Sequence, residues 1–229
     1  MTNGSETPSD ARRFHLHGRT RGKALRPAQR ERMEGMLPAL ALSGVTREEN
    51  PAREVLEGLP RPIWLEIGFG GGEHLAHQAR LNPGVTLLGA EPFVNGLAAL
   101  LGKMEGVSNI RLHPGDARDL LEVLPEGSVE KAFLLYPDPW PKARHHKRRF
   151  VTPEPLGLLA RAMAQGGEFR VATDIEDYVR QALEEVPKAG FDLVAGPVGE
   201  AWADWTRTRY EAKAVREGRA PHYLTFRRA

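Results

Sequence analysis

The sequence predicts an α/β fold, a seven-stranded and mostly parallel sheet with helices on both faces, preceded by a basic N-terminal extension. Two observations carry this. From Pro62 onward, short apolar runs with a β-branched flavour alternate with helix-length stretches, the pattern of strand–helix–strand units. The glycines, acids and prolines suited to chemistry fall just after those runs, where parallel sheets bind their ligands.

The elements follow in order. Residues 1–10 are small and polar and are expected to be disordered. They belong to a flexible basic segment, 1–25. Residues 11–32 carry Arg12, Arg13, Arg19, Arg21, Lys23, Arg26, Arg30 and Arg32 against one acid, Glu31. A helix is expected from about Pro27, with Met33, Met36, Leu37 and Leu40 on one stripe, and 43–61 reads as a linker. That leaves 26–61 as helix plus linker and 62–229 as the main domain. Strands are expected at 63–67, 85–90, 109–113, 129–136, 167–173, 191–194 and 223–227. Helices are expected at 73–81, 94–104, 117–123, 153–164 and 176–187, the fourth with Thr152 as N-cap and Pro153 at its first position.

Composition narrows the class. The chain has 229 residues, 41% hydrophobic and 27% charged, which suits a soluble globular protein. There is no cysteine, which excludes disulfides and thiolate metal sites. No apolar run is long enough to span a membrane and no signal peptide opens the chain, so a cytoplasmic protein is expected. Net charge is only +2, but base is clustered in the N-terminal segment and again at 142–149, which points to a polyanionic partner.

The first strand ends Leu65-Glu66-Ile67-Gly68-Phe69-Gly70-Gly71-Gly72-Glu73. Gly68 and Gly70 fit a nucleotide-binding turn, but Glu73 stands where a dinucleotide fingerprint has its third glycine. The pattern E-x-G-x-G-x-G resembles the first motif of class I methyltransferases, a Rossmann-like fold. Glu91 ends the second strand, where an acid can take both ribose hydroxyls. Asp116 follows the third, either facing an adenine amino group or capping the next helix. Acids after three successive strands suit S-adenosylmethionine, a sulfonium that also bears an ammonium, better than a pyrophosphate.

The fourth strand runs into Tyr136-Pro137-Asp138-Pro139-Trp140-Pro141-Lys142, then Arg144-His145-His146-Lys147-Arg148-Arg149. Three prolines in five residues stiffen the loop around Asp138 and Trp140. Carboxylate, aromatic ring and cations side by side suit a nucleobase with its phosphates. This stretch resembles the signature of bacterial tRNA (guanine-N7)-methyltransferases. Gly18-Arg19-Thr20-Arg21-Gly22-Lys23, Ala172-Thr173-Asp174 and Thr208-Arg209-Tyr210-Glu211 extend the resemblance over roughly 14–227.

The resemblance implies transfer of a methyl group from S-adenosyl-L-methionine to N7 of guanosine 46 in the tRNA variable loop. It implies donor binding by Glu66, Glu91, Asp116 and Asp138, with Asp138 catalytic. Substrate binding falls to Lys142, Asp174 and Thr208 through Glu211, and RNA contact to Arg144 through Arg149. Asp174 and Glu211 are expected to accept from guanine N1–H and the exocyclic amine. The adjacent histidines suit RNA better than a metal, and none is expected. Neither is a protein partner, so the chain should act as monomer or homodimer. Two other readings are an RNA methyltransferase acting on an exocyclic amine and a non-catalytic RNA-binding module.

Overall fold

Each apolar run expected after Pro62 is a strand in the computed structural model, which describes residues 14–197 and 200–229. The strands are β1 (Ile63–Ile67), β2 (Thr86–Ala90), β3 (Ile110–His113), β4 (Val129–Leu135), β5 (Met163–Thr173), β6 (Phe191–Ala195) and β7 (His222–Arg228). They form one sheet in the order β3-β2-β1-β4-β5-β7-β6, with β7 antiparallel to both its neighbours. The chain leaves β1 outward through β2 and β3, then restarts on the other side at β4. That reversal opens a crevice above the carboxyl ends of β1 and β4.

Helices cover both faces. Leu120 of α4 (Ala117–Val123), Leu156 of α5 (Pro153–Ala162) and Tyr178 of α6 (Glu176–Lys188) pack in one core with Leu65, Leu134 and Phe169. Leu75 of α2 (Glu73–Leu81) and Leu97 of α3 (Val94–Leu101) form the other with Leu87 and Leu112. Met33, Met36, Leu37 and Leu40 of α1 (Pro27–Leu40) lean on this second core through the predicted stripe. No helix among the described residues is long and apolar enough to cross a membrane.

Several expectations change. The stretch 1–10, with Arg12 and Arg13, lies outside the described residues. Residues 14–25, expected as part of a flexible extension, lie on the domain. Phe14 is buried under the Arg118 guanidinium, Val94 N–H donates to Thr20 O, and Asn95 bonds the backbone of Gly22 and Lys23. The expected linker 43–61 holds no helix or strand, but it is packed rather than loose. Val45 is buried in the first core and the Asn50 amide donates to Gly44 O and Glu54 O. Helix α3 stops at Leu101, ahead of Gly102, and β5 starts directly after α5 because Met163 already pairs with Val129. Thr152 occupies the N-cap position with Pro153 behind it, but its hydroxyl donates to Arg149 O instead of capping. Two short helices were not predicted: a 3-10 helix at Ala143–Arg148 and α7 at Arg209–Arg216.

Candidate active site

The site begins at the glycine turn after β1. Gly70 has φ +56°, and a Cβ there would stand 2.8 Å from the Tyr210 ring, so the turn needs a residue without a side chain. Its N–H donates to Glu91 Oε2 at 2.6 Å, while Phe93 N–H donates to Oε1 at 2.8 Å. Glu91 is buried. Burial pushes its pKa up and the two N–H donors pull it back down. Each carboxylate oxygen still has a lone pair to offer a ligand hydroxyl. Glu66 is also buried, with Oε2 on His74 Nδ1 at 2.7 Å, and is not in the wall of the open cleft.

Two cavities run along the carboxyl edge of the sheet and meet at Pro92. One, about 470 Å³, lies between His113, Asp116 and Val94 and is roofed by Phe14, Leu16 and Thr20. Asp116 caps α4, accepting from Arg118 N at 2.9 Å and from the Arg118 side chain. It is therefore the helix cap and also part of the cavity wall. The second cavity, about 490 Å³, lies between Gly68, Gly70, Glu91, Asp138 and Tyr210, with His17 and Gly18 across its mouth. A Cβ on Gly18 would lie 3.4 Å from Asp138 Oδ2. The basic N-terminal segment thus closes over the cleft, which its composition did not foretell.

Asp138 is the most open of the candidate acids, and crowding by the cleft walls pushes its carboxyl above the usual range. Tyr136 and Trp140 flank it with φ +49° and +42°, strained for non-glycine residues. Such strain costs about 1–3 kcal/mol per residue and persists only where surroundings enforce it. Arg149 supplies much of that enforcement. Its Nε donates to Pro139 O at 2.8 Å, Nη1 to Gln181 Oε1 at 2.8 Å and Nη2 to Asp177 Oδ2 at 2.8 Å. Arg149, expected among the RNA contacts, is 2% exposed and tied to α6, where it clamps the loop. Arg148 stacks its guanidinium over Trp140 at 4.9 Å. Lys142, Arg144 and Lys147 are exposed along the rim, with His145 and His146 partly covered beside them.

The late motif sits on the opposite wall. Thr208 caps α7 by accepting from Glu211 N at 3.2 Å. Tyr210 lies on the glycine turn with the Arg209 guanidinium 4.9 Å from its ring centroid. Glu211 is 4% exposed, and its oxygens accept from Trp205 Nε1 at 2.7 Å and Tyr223 OH at 2.9 Å. The acid expected to meet the base thus also ties the late segment to β7. Burial beside Glu211 and Tyr223 pushes the Tyr136 hydroxyl pKa far up. Asp174, at the end of β5, is more open, with Oδ2 on Arg219 Nε at 2.5 Å. Among the described residues, no group of three or more His, Asp or Glu side chains could hold a metal.

The family model described as "Putative methyltransferase" matches residues 60–224. The tRNA (guanine-N(7)-)-methyltransferase of Cereibacter sphaeroides is 63% identical over 93% of this chain and 91% of its own. That of Paracoccus denitrificans is 59% identical over 98% and 99%. Among solved structures, the 16S rRNA methyltransferase KamB superposes with a TM-score of 0.57 at 17% identity, over 75% of this chain and 89% of that one, a likeness of fold. With a methyltransferase sheet, a glycine turn clasping a strand-end acid and near full-length identity to these relatives, the chain belongs to the tRNA (guanine-N7)-methyltransferase family.

Proposed function

We propose that this protein transfers the methyl group of S-adenosyl-L-methionine to N7 of guanosine 46 in the variable loop of tRNA, in the cytoplasm, as a monomer or homodimer. The observation that carries the reading is the paired cavity: one half walled by Asp116, the other by Glu91 and the Asp138 loop, continuous at Pro92. The residues fit the donor. Glu91 offers lone pairs to a ribose, Asp116 an acceptor to the adenine amine, and Asp138 a carboxylate to a sulfonium. The donor, when bound, supplies an electrophilic methyl group.

The chain's own groups do the remaining work. Guanine N7 carries a lone pair and no proton, so no side chain has to act as a base before transfer. Asp138, held by Pro137, Pro139 and Arg149, positions the reactants and favours positive charge arriving on the purine. Asp174 accepts from guanine N1–H and the amine in this reading, whereas adenine presents an acceptor at N1. Thr208 and Glu211 hold Arg209 and Tyr210 against the cleft. Lys142, Arg144 and Lys147 meet phosphates at the rim.

The test uses purified protein, labelled donor and unmodified tRNA. Asp138→Ala should lower kcat by about 100-fold or more, with either dissociation constant little changed, because the group works mainly in the transition state. Asp138→Asn should be nearly as slow if charge matters, and recover much of the rate if hydrogen bonds suffice. An Asp138→Ala enzyme turning over at the wild-type rate would remove Asp138 from the mechanism.

A further inference from the structure

We propose that His74 is a positioning residue that fixes the buried Glu66 carboxylate, which immediately precedes the cleft-lining Ile67 and Gly68, and hooks it to the late segment covering the cleft. The inference rests on the reading that this cleft binds the methyl donor. His74 lies in the first turn of α2, 1% exposed, and its Nδ1 stands 2.7 Å from Glu66 Oε2. Its Nε2 stands 3.3 Å from Gln78 Nε2, and the same amide nitrogen donates to Asp204 O at 2.8 Å.

The hydrogen bonds settle who donates. A carboxylate can only accept, so Nδ1 carries the proton toward Glu66. The amide nitrogen can only donate, so Nε2 accepts one of its hydrogens while Asp204 O takes the other. Gln78 Oε1 in turn accepts from Asn82 Nδ2 at 3.2 Å. The amide orientation and the imidazole tautomer therefore determine each other.

The other end of the network reaches the late segment. The His74 ring packs on Phe133 and on Trp205, with centroids 4.7 and 5.2 Å away. Trp205 donates to Glu211, which also takes the Tyr223 hydroxyl. Glu211 lies in the first turn of α7, next to the Tyr210 that covers Gly70. Glu66, His74, Trp205 and Glu211 thus form one continuous chain behind the cleft. A loss at His74 releases Glu66 and loosens the Asp204–Trp205 segment together.

Three substitutions test this by calorimetry with S-adenosylmethionine and by thermal melting. Asn places its amide N–H near the position of Nδ1, and Gln near that of Nε2. His74→Asn should bind the donor within about threefold of wild type. His74→Gln and His74→Leu, which leave Glu66 without its donor, should bind about tenfold more weakly or worse, the scale of one hydrogen bond to a charged group. A purely structural histidine would rank donor affinity with melting temperature across the set instead. Should His74→Leu fail to fold, the Asn and Gln pair decides alone. Equal donor affinities for that pair, or affinities that only follow stability, would overturn the proposal. Wild-type protein that binds no donor would instead defeat the functional reading on which it rests.

Discussion

Arg149 separates a structural arginine from an RNA-binding one within a run of cations. Arg149→Ala removes hydrogen bonds to Pro139 O, Gln181 Oε1, Asp177 O and Asp177 Oδ2 from a guanidinium that is 0% exposed. Breaking a fully buried charge pair costs about 3–5 kcal/mol. Asp177 keeps 33% of its side-chain surface and its contact with Arg180, so water takes over part of its role. The loss is then about 2–3 kcal/mol. At roughly 2–4 °C per kcal/mol for a chain of this size, the melting temperature should fall by about 4–12 °C. Turnover should drop too, because Pro139 and hence Asp138 lose their tether. The salt dependence of tRNA binding should stay as in wild type, since a side chain inside the protein displaces no counterions from RNA. A variant that melts like wild type while its salt slope becomes shallower by about one would refute the clamp and restore Arg149 as a phosphate contact.

Other outcomes follow from the same geometry. Glu91→Ala strips the acceptor from Gly70 N–H and Phe93 N–H. It should raise the donor dissociation constant about tenfold or more by calorimetry, leaving tRNA affinity nearly intact. Arg144→Ala with Lys147→Ala should reduce the slope of log K for tRNA against log salt by about 1.4–1.8, two phosphate contacts' worth, with the melting temperature hardly moved. Burial pushes His113 down to about 4 from 6.5. A depressed histidine pKa gives stability present above pH 6.5 and lost as pH falls toward 4. His113→Met should flatten that limb of the stability–pH curve by up to about 3 kcal/mol, read from urea midpoints.

The sheet was legible because strands buried on both faces read as short apolar runs ahead of a glycine or proline turn, as Ile63–Ile67 and the second half of Val129–Leu135 do. The glycine turn, Glu91, Asp116 and the proline-fixed Asp138 were legible because the ends of parallel strands concentrate chemistry. What stayed hidden depends on tertiary contacts. Arg148 and Arg149 are adjacent and identical in sequence terms, yet one stacks on Trp140 and the other is sealed against α6. Glu211 gave no sign in the sequence that Trp205 and Tyr223 would close on it. Helix α7 did leave a signal: Thr208 followed three residues on by Glu211 is the pattern of a helix start. Nothing in the basic composition of 14–25 showed that Phe14 would seat beneath Arg118 and lay the segment over the cleft.

The central claim is the acceptor atom, and the identity of the product tests it most directly. Unmodified tRNA is incubated with the protein and methyl-labelled donor, then treated by reduction and aniline, which breaks the chain at 7-methylguanosine. The account predicts label in 7-methylguanosine alone and a single cleavage in the variable loop, both appearing about 100-fold more slowly with Asp138→Ala. Labelled tRNA that resists cleavage, with the label in N2-methylguanosine or a methyladenosine, would contradict it.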